Sequence, residues 1–240
     1  YYFDWTLDGR GVRLDGPLVD EIIGLCREHS TAVAIGLTEA VDSRRDPRIT
    51  DYYNSAVFID GGGVRGVQRK VFLWVDPEWD QDRVKESNSG TPDYRYPPLM
   101  DERRRFLPGW DFFSFAFAGL DRVAALICAD ALMGPAWSRV IPQGPEVIFN
   151  LNSRLNITRR WGPDLEYMCR RYGVPVVASN NWDGGEAAVF DSDGECVARI
   201  SGRAGLAVAD VIPAAPQEEA LHEVTGFVVA CDSFLNATAK

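Results

Sequence analysis

The chain lacks the marks of several large classes of protein. Its most apolar stretch, Val123 to Cys128 and on past Asp130, falls far short of the roughly 20 residues that a membrane-spanning helix needs. Tyr1 is not followed by the basic start and apolar centre of a secretory leader, so nothing in the opening residues directs export. The five cysteines, Cys26, Cys128, Cys169, Cys196 and Cys231, are odd in number, widely spaced and form no C-x-x-C pair. That pattern argues against a disulfide framework or a zinc site and for a reduced, cytoplasmic setting. Positive charge is in deficit, with 25 Lys and Arg against 35 Asp and Glu, a formal net charge of −10. Such a surface repels nucleic-acid backbones and anionic membranes, and neither is an expected partner. Only two histidines occur, His29 and His222, and both sit outside any motif. A Cys-His pairing therefore has no support in the pattern. The glycine run from Gly61 to Gly66 lacks the Gly-Lys-Ser/Thr ending of a phosphate loop and reads as a hairpin turn.

What is present suffices for one globular domain: 240 residues, 46% of them hydrophobic, can bury a full core. From Pro17 to His29 the residues Leu18, Ile22, Leu25 and Cys26 recur at helical spacing, with Pro17 suited to the first turn. Strands are expected over Thr31 to Glu39 and Ser55 to Asp60, with a hairpin partner from Val64 to Trp74. The stretch Val75 to Gly109 has no sustained periodicity and reads as a long loop with a helical turn. Two further strands, Phe112 to Ala118 and Arg122 to Cys128, meet at Gly119 to Asp121. A short helix from Pro135 to Val140 and a strand from Glu146 to Leu151 come next. Gly162 to Tyr172 is a second clear helix, stopped by Gly173. Strands are then expected at Val174 to Ser179, Ala187 to Asp191, Cys196 to Ser201 and Leu206 to Val211, and Pro213 to Lys240 reads as a helix and tail that packs on another subunit. Hairpins interleaved with helices imply α/β layers with mixed sheets.

Three side chains stand out chemically. Cys128 ends an apolar strand and is followed at once by a turn, so that its side chain and the next backbone N–H can both face a cleft. A lone cysteine is as a rule a small buried hydrophobe, and the position alone does not choose between the two readings. Lys70 alternates with Gln68, Phe72 and Trp74 on one face of its strand. It is either a snorkelling surface lysine or a half-buried cation that favours a thiolate and then holds an oxyanion. Glu102, beside Arg103, Arg104 and Arg105, has the surroundings of a surface ion pair.

Taken in order, the motifs resemble the nitrilase-like carbon-nitrogen hydrolases over roughly Gly16 to Val211. Tyr53-Asn54-Ser55-Ala56 followed by Arg69-Lys70-Val71 is similar to that family's strand pair ending in its catalytic lysine. Glu102 with Pro108-Gly109 is similar to its "E...PG" segment, and Leu126-Ile127-Cys128-Ala129-Asp130 to its "ICYD" nucleophile turn. Gly173 to Asn181 and Asp191 to Gly194 are similar to its later elements. The resemblance implies an αββα sandwich paired into a homodimer or larger homo-oligomer, with no cofactor. It also implies hydrolysis of a small amide, nitrile or ureido compound through an acyl-enzyme on Cys128. Lys70 and the Ala129 N–H would form the oxyanion site, Glu102 would be a positioning group, and Asn150, Asn152 and Trp182 would line the pocket. A non-catalytic relative that keeps the fold as a binding or assembly module is the alternative. Two segments depart from the family pattern, Ala131 to Ala136 after the nucleophile turn and Gly185-Glu186-Ala187 before a later strand. The family's general-base glutamate would lie upstream of Tyr1, so this chain alone is expected to turn over poorly.

Overall fold

The structure, a computed structural model, describes residues 11–46, 48–74, 102–152, 162–180, 186–201 and 205–213. Helix α1 (Pro17–Glu28) opens the fold. Its first-turn proline removes one of the N–H groups that a helix start leaves without an intrahelical partner, and Val19 and Cys26 are its buried residues. Three antiparallel strands follow in spatial order: β1 (Ala32–Asp42), β2 (Thr50–Asp60) and β3 (Gly63–Arg69). The central strand, β2, is buried without interruption from Asn54 to Ile59 because both its faces are covered.

The second sheet has six strands in sequence order: β4 (Ser114–Phe117), β5 (Leu120–Ile127), β6 (Val147–Asn152), β7 (Val176–Asn180), β8 (Glu186–Phe190) and β9 (Cys196–Ser201). Its middle is parallel, β5 to β6 to β7, and its margins are antiparallel. The two parallel steps are made by helices α2 (Gly134–Val140) and α3 (Gly162–Tyr172), as parallel neighbours require a crossover.

Three apolar clusters define four layers, α–β–β–α. Val19 and Cys26 of α1 pack on Leu37, Val57 and Ile59, the outer face of the first sheet. Ala56 and Phe58 on its inner face meet Phe117, Val123, Ala125, Ile127 and Leu151 of the second sheet. Phe58 is the hub of that seam, with edge-to-face contacts to Phe115, Phe117 and Phe149 at centroid distances of 4.7, 5.0 and 5.3 Å. On the far side, Ala124, Leu126, Ile148 and Val176 pack against Trp137, Leu165 and Cys169 of α2 and α3.

Two expectations from the sequence are corrected. The hairpin strand does not run on to Trp74. It ends at Arg69, since the Lys70 carbonyl accepts from the Gly109 N–H at 2.7 Å rather than from a strand neighbour. Residues 205–213 are not a strand: Leu206, Val208 and Ile212 are largely exposed there, and alternation of apolar residues makes no strand without a neighbour to pair with. Tyr1 and the expected helix and tail beyond Pro213 lie outside the described residues.

Candidate active site

The site forms where three pieces of chain meet: the segment leaving β3, the short 3-10 turn Glu102–Arg104, and the 3-10 turn Cys128–Leu132 that follows β5. Lys70 is the first residue past β3. Its N–H still donates to the Asn54 carbonyl at 2.8 Å, so strand pairing fixes its backbone while its side chain turns into the sandwich, 1% exposed. The fixing has a second anchor in Gly109. A side chain there would place its Cβ 2.3 Å from the Arg69 carbonyl oxygen, so this close approach requires glycine.

A lysine this buried needs an anion. Glu102 supplies it: Lys70 Nζ donates to Glu102 Oε2 at 2.6 Å. The same carboxylate accepts from Trp74 N–H at 2.6 Å and from Asn54 Nδ2 at 3.2 Å, while Glu102 N–H donates to the Trp74 carbonyl at 2.9 Å. Glu102 is thus a half-buried acceptor for Lys70, not the surface ion pair its arginine neighbours advertise. Three donors occupy its oxygens, which is the behaviour of a positioning group rather than of a free base.

Cys128 is half-buried and has φ +51°. A non-glycine residue in the left-handed region costs on the order of 1–2 kcal/mol and persists only where its surroundings over-determine it. Burial pushes the thiol above its ordinary range, with the Glu102 and Asp130 carboxylates acting in the same direction; Lys70 and the Ala129 N–H pull it down without prevailing. The expectation that Lys70 favours the thiolate is right in sign, but burial outweighs it, so deprotonation calls for a base. Lys70, for its part, is opposed by burial, yet the negative charge of Cys128, Glu102 and Asp130 outweighs that and holds the ammonium above its ordinary value. It remains a cation over the whole working range.

Lys70, Glu102, Cys128 and Ala129 are therefore brought together. Asn150 and Asn152 are not brought to the same face. They follow Ile148 in alternation and point with it to the helix side of the second sheet, where Asn150 Nδ2 donates to the Leu126 carbonyl at 2.7 Å and Asn152 Nδ2 to Asn150 Oδ1 at 2.8 Å. Trp182 lies outside the described residues. Two residues were missed. Asn54 bonds Glu102, and its place in the strand before Lys70 was the available signal. Asp130, fully buried, accepts from the Ile127 N–H at 3.1 Å and from the Phe72 N–H at 2.8 Å. A groove of about 170 Å³ on the outer side of β3, lined by Leu14, Arg69, Trp110 and Phe113 among others, touches neither Lys70 nor Cys128. Chemistry rather than volume selects the site.

A buried lysine joined to a carboxylate, beside a cysteine held at a strained strand-to-turn junction, defines a cysteine–lysine–carboxylate centre. The model of the carbon-nitrogen hydrolase family matches residues 4–218, and the chain belongs to that family. Among solved structures it is similar to a carbon-nitrogen hydrolase from Helicobacter pylori G27, with 18% identity, 90% of this chain and 70% of that one covered, and a TM-score of 0.59. It is similar to the NitFhit protein of C. elegans, with 16% identity, coverage of 92% and 50%, and a TM-score of 0.64. It is also similar to a mutant amidase from Nesterenkonia sp. AN1 that carries acrylamide added to its active-site cysteine, with 15% identity, coverage of 80% and 69%, and a TM-score of 0.57. At these identities the likeness shows a shared nitrilase-type fold. No curated protein matches the chain.

Proposed function

We propose that the protein hydrolyses the non-peptide C–N bond of a small amide through a thioester on Cys128. The observation that carries this reading is the buried Lys70, held at 2.6 Å by Glu102, together with a cysteine at positive φ at the turn that follows β5. The Nesterenkonia amidase, which is modified at its active-site cysteine, lends support from a relative of the same fold. In the first half-reaction a general base takes the thiol proton, and the sulfur attacks the carbonyl carbon. The developing oxyanion is met by the Lys70 ammonium and the Ala129 N–H. The C–N bond then breaks, the nitrogen takes up the proton, and ammonia or an amine departs. In the second half-reaction water adds to the thioester, and its collapse releases the acid and restores the thiol. Glu102 keeps Lys70 in place through both halves.

The test needs no knowledge of the natural substrate. The folded protein is treated with limiting iodoacetamide near neutral pH, the adducts are mapped, and ammonia release from a panel of small primary amides is assayed. Cys128 should be modified first, and Cys128→Ala should release no ammonia. Modification of Cys26, Cys169, Cys196 or Cys231 ahead of Cys128 would sink the assignment, and so would hydrolysis that survives Cys128→Ala.

A further inference from the structure

Past Lys70, whose N–H makes the last strand hydrogen bond, the segment from Val71 to Trp74 has left the sheet, and no ladder of strand hydrogen bonds dictates where it lies. Two carboxylates hold it instead. Glu102 takes the Trp74 N–H, and Asp130 takes the Phe72 N–H at 2.8 Å. The other oxygen of Asp130 takes the N–H of Ile127, the residue just before Cys128, at 3.1 Å. One fully buried carboxylate therefore bridges the backbone two residues after the lysine and the backbone one residue before the cysteine. The cysteine it steadies is the one whose conformation would otherwise relax.

We propose that Asp130 is a positioning residue: its carboxylate pins the Cys128 turn to the Lys70 segment and thereby sets how strongly Lys70 acts on the thiol. This rests on the reading of Cys128 as the nucleophile. A role through charge alone is opposed by sign, because the Asp130 anion itself pushes the Cys128 thiol up. Deleting that charge without moving anything would make the thiol more acidic. Deleting a clamp that holds Lys70 near the sulfur would make it less acidic. The groups facing Asp130 are Lys70 and Glu102 across the site and Cys128 on its own turn. Burial pushes the carboxyl up to about 7, against the pull of the two N–H donors and of Lys70. Near neutrality it changes form, and the protonated form has one oxygen fewer free to accept. The clamp should accordingly loosen on the acid side.

Asp130→Asn keeps the size and removes the charge and one acceptor. The second-order rate of Cys128 alkylation by iodoacetamide is measured against pH for the full chain, Asp130→Asn, Lys70→Ala and the double variant, beside melting curves. In Asp130→Asn the thiol midpoint should rise and alkylation near neutral pH should slow by about fivefold or more. In the Lys70→Ala background the same substitution should change the rate by less than about twofold, since the residue acts through Lys70. A midpoint that falls or stays put, or an effect of equal size in both backgrounds, overturns the inference even if the melting temperature drops. Should Asp130→Asn fail to fold, the unaltered protein still decides. The amide proton resonances of Phe72 and Ile127 should move together with pH, sharing one midpoint near neutrality, and separate or flat titrations overturn the inference. If another cysteine is alkylated ahead of Cys128, the nucleophile reading itself falls and takes this inference with it. If Cys128 is first but the Asp130 arms fail, only this inference falls.

Discussion

Two consecutive residues, Arg69 and Lys70, each pair with a carboxylate, buried Glu39 and half-buried Glu102, on opposite faces of the first sheet. On the outer face Glu39, 1% exposed, is gripped by Arg69 Nε and Nη2 at 2.9 and 2.7 Å and by the Ser55 hydroxyl at 2.7 Å. The guanidinium lies 3.9 Å from the Tyr53 ring centroid. Hydrogen bonding to Glu39 raises an arginine pKa that was already beyond reach, so this group is a permanent cation in a rigid fork. On the inner face, among the described residues, Lys70 Nζ donates to Glu102 alone. The first pair has no reactive neighbour beside it among the described residues. The second is left open toward a thiol. Similar charges on adjacent residues thus make a two-pronged clamp on one side of the strand and, in the proposed function, the oxyanion site on the other.

The comparison breaks most visibly at Lys70. Lys70→Ala should lower ammonia release by on the order of 10²- to 10³-fold, the usual cost of one oxyanion donor. It should also slow Cys128 alkylation. An unchanged alkylation rate in a folded Lys70→Ala protein would make the inner pair as inert as the outer. Arg69→Ala should do the reverse. It strands a buried Glu39 while water reaches the site through the half-exposed Arg69 position, which costs about 1–3 kcal/mol of stability, read as a lower denaturation midpoint, and the pH profile of Cys128 alkylation stays put below the transition. Arg69→Lys should recover only part of that loss, because an ammonium cannot reproduce the two-pronged contact. Ser55→Ala removes one hydrogen bond to the Glu39 carboxylate and should cost about 1.5–3 kcal/mol with no kinetic effect. The smallest signal is a slope. The Asp130 carboxyl is raised to about 7 in the folded protein, against about 3.9 in an unfolded chain. The folded state then binds more protons than the unfolded one between those values, and stability from this group falls as pH rises through the window. Melting temperatures from pH 4 to 8 should show the unaltered protein losing ground to Asp130→Asn as pH rises, and a constant gap would contradict the raised carboxyl.

Periodicity made the elements legible, because helices α1 and α3 and the apolar run of β5 announce themselves over ten residues or so of local pattern. The site was legible only where a motif carried it. Cys128 and Lys70 lie at recognisable junctions, but the true partner of Glu102 did not show in its own neighbourhood, where arginines dominate. Asp130 was invisible as a participant because one of its contacts is to a backbone N–H 58 positions away, and backbone donors leave no trace in a sequence. Leu206 to Val211 misled for the converse reason, since alternation records what a strand needs and not whether a neighbour is there to satisfy it.

The left-handed backbone at Cys128 has a consequence for descent. Glycine occupies that region without steric cost, so a change to glycine there relieves backbone strain that a change to alanine keeps. Cys128→Gly should accordingly melt above Cys128→Ala. On the proposed function, backbone ease and reactivity pull opposite ways at this single codon, and a lineage released from the need for the reaction has one less reason to keep cysteine there. On that function, the residue found at this one position marks whether a related chain still does chemistry.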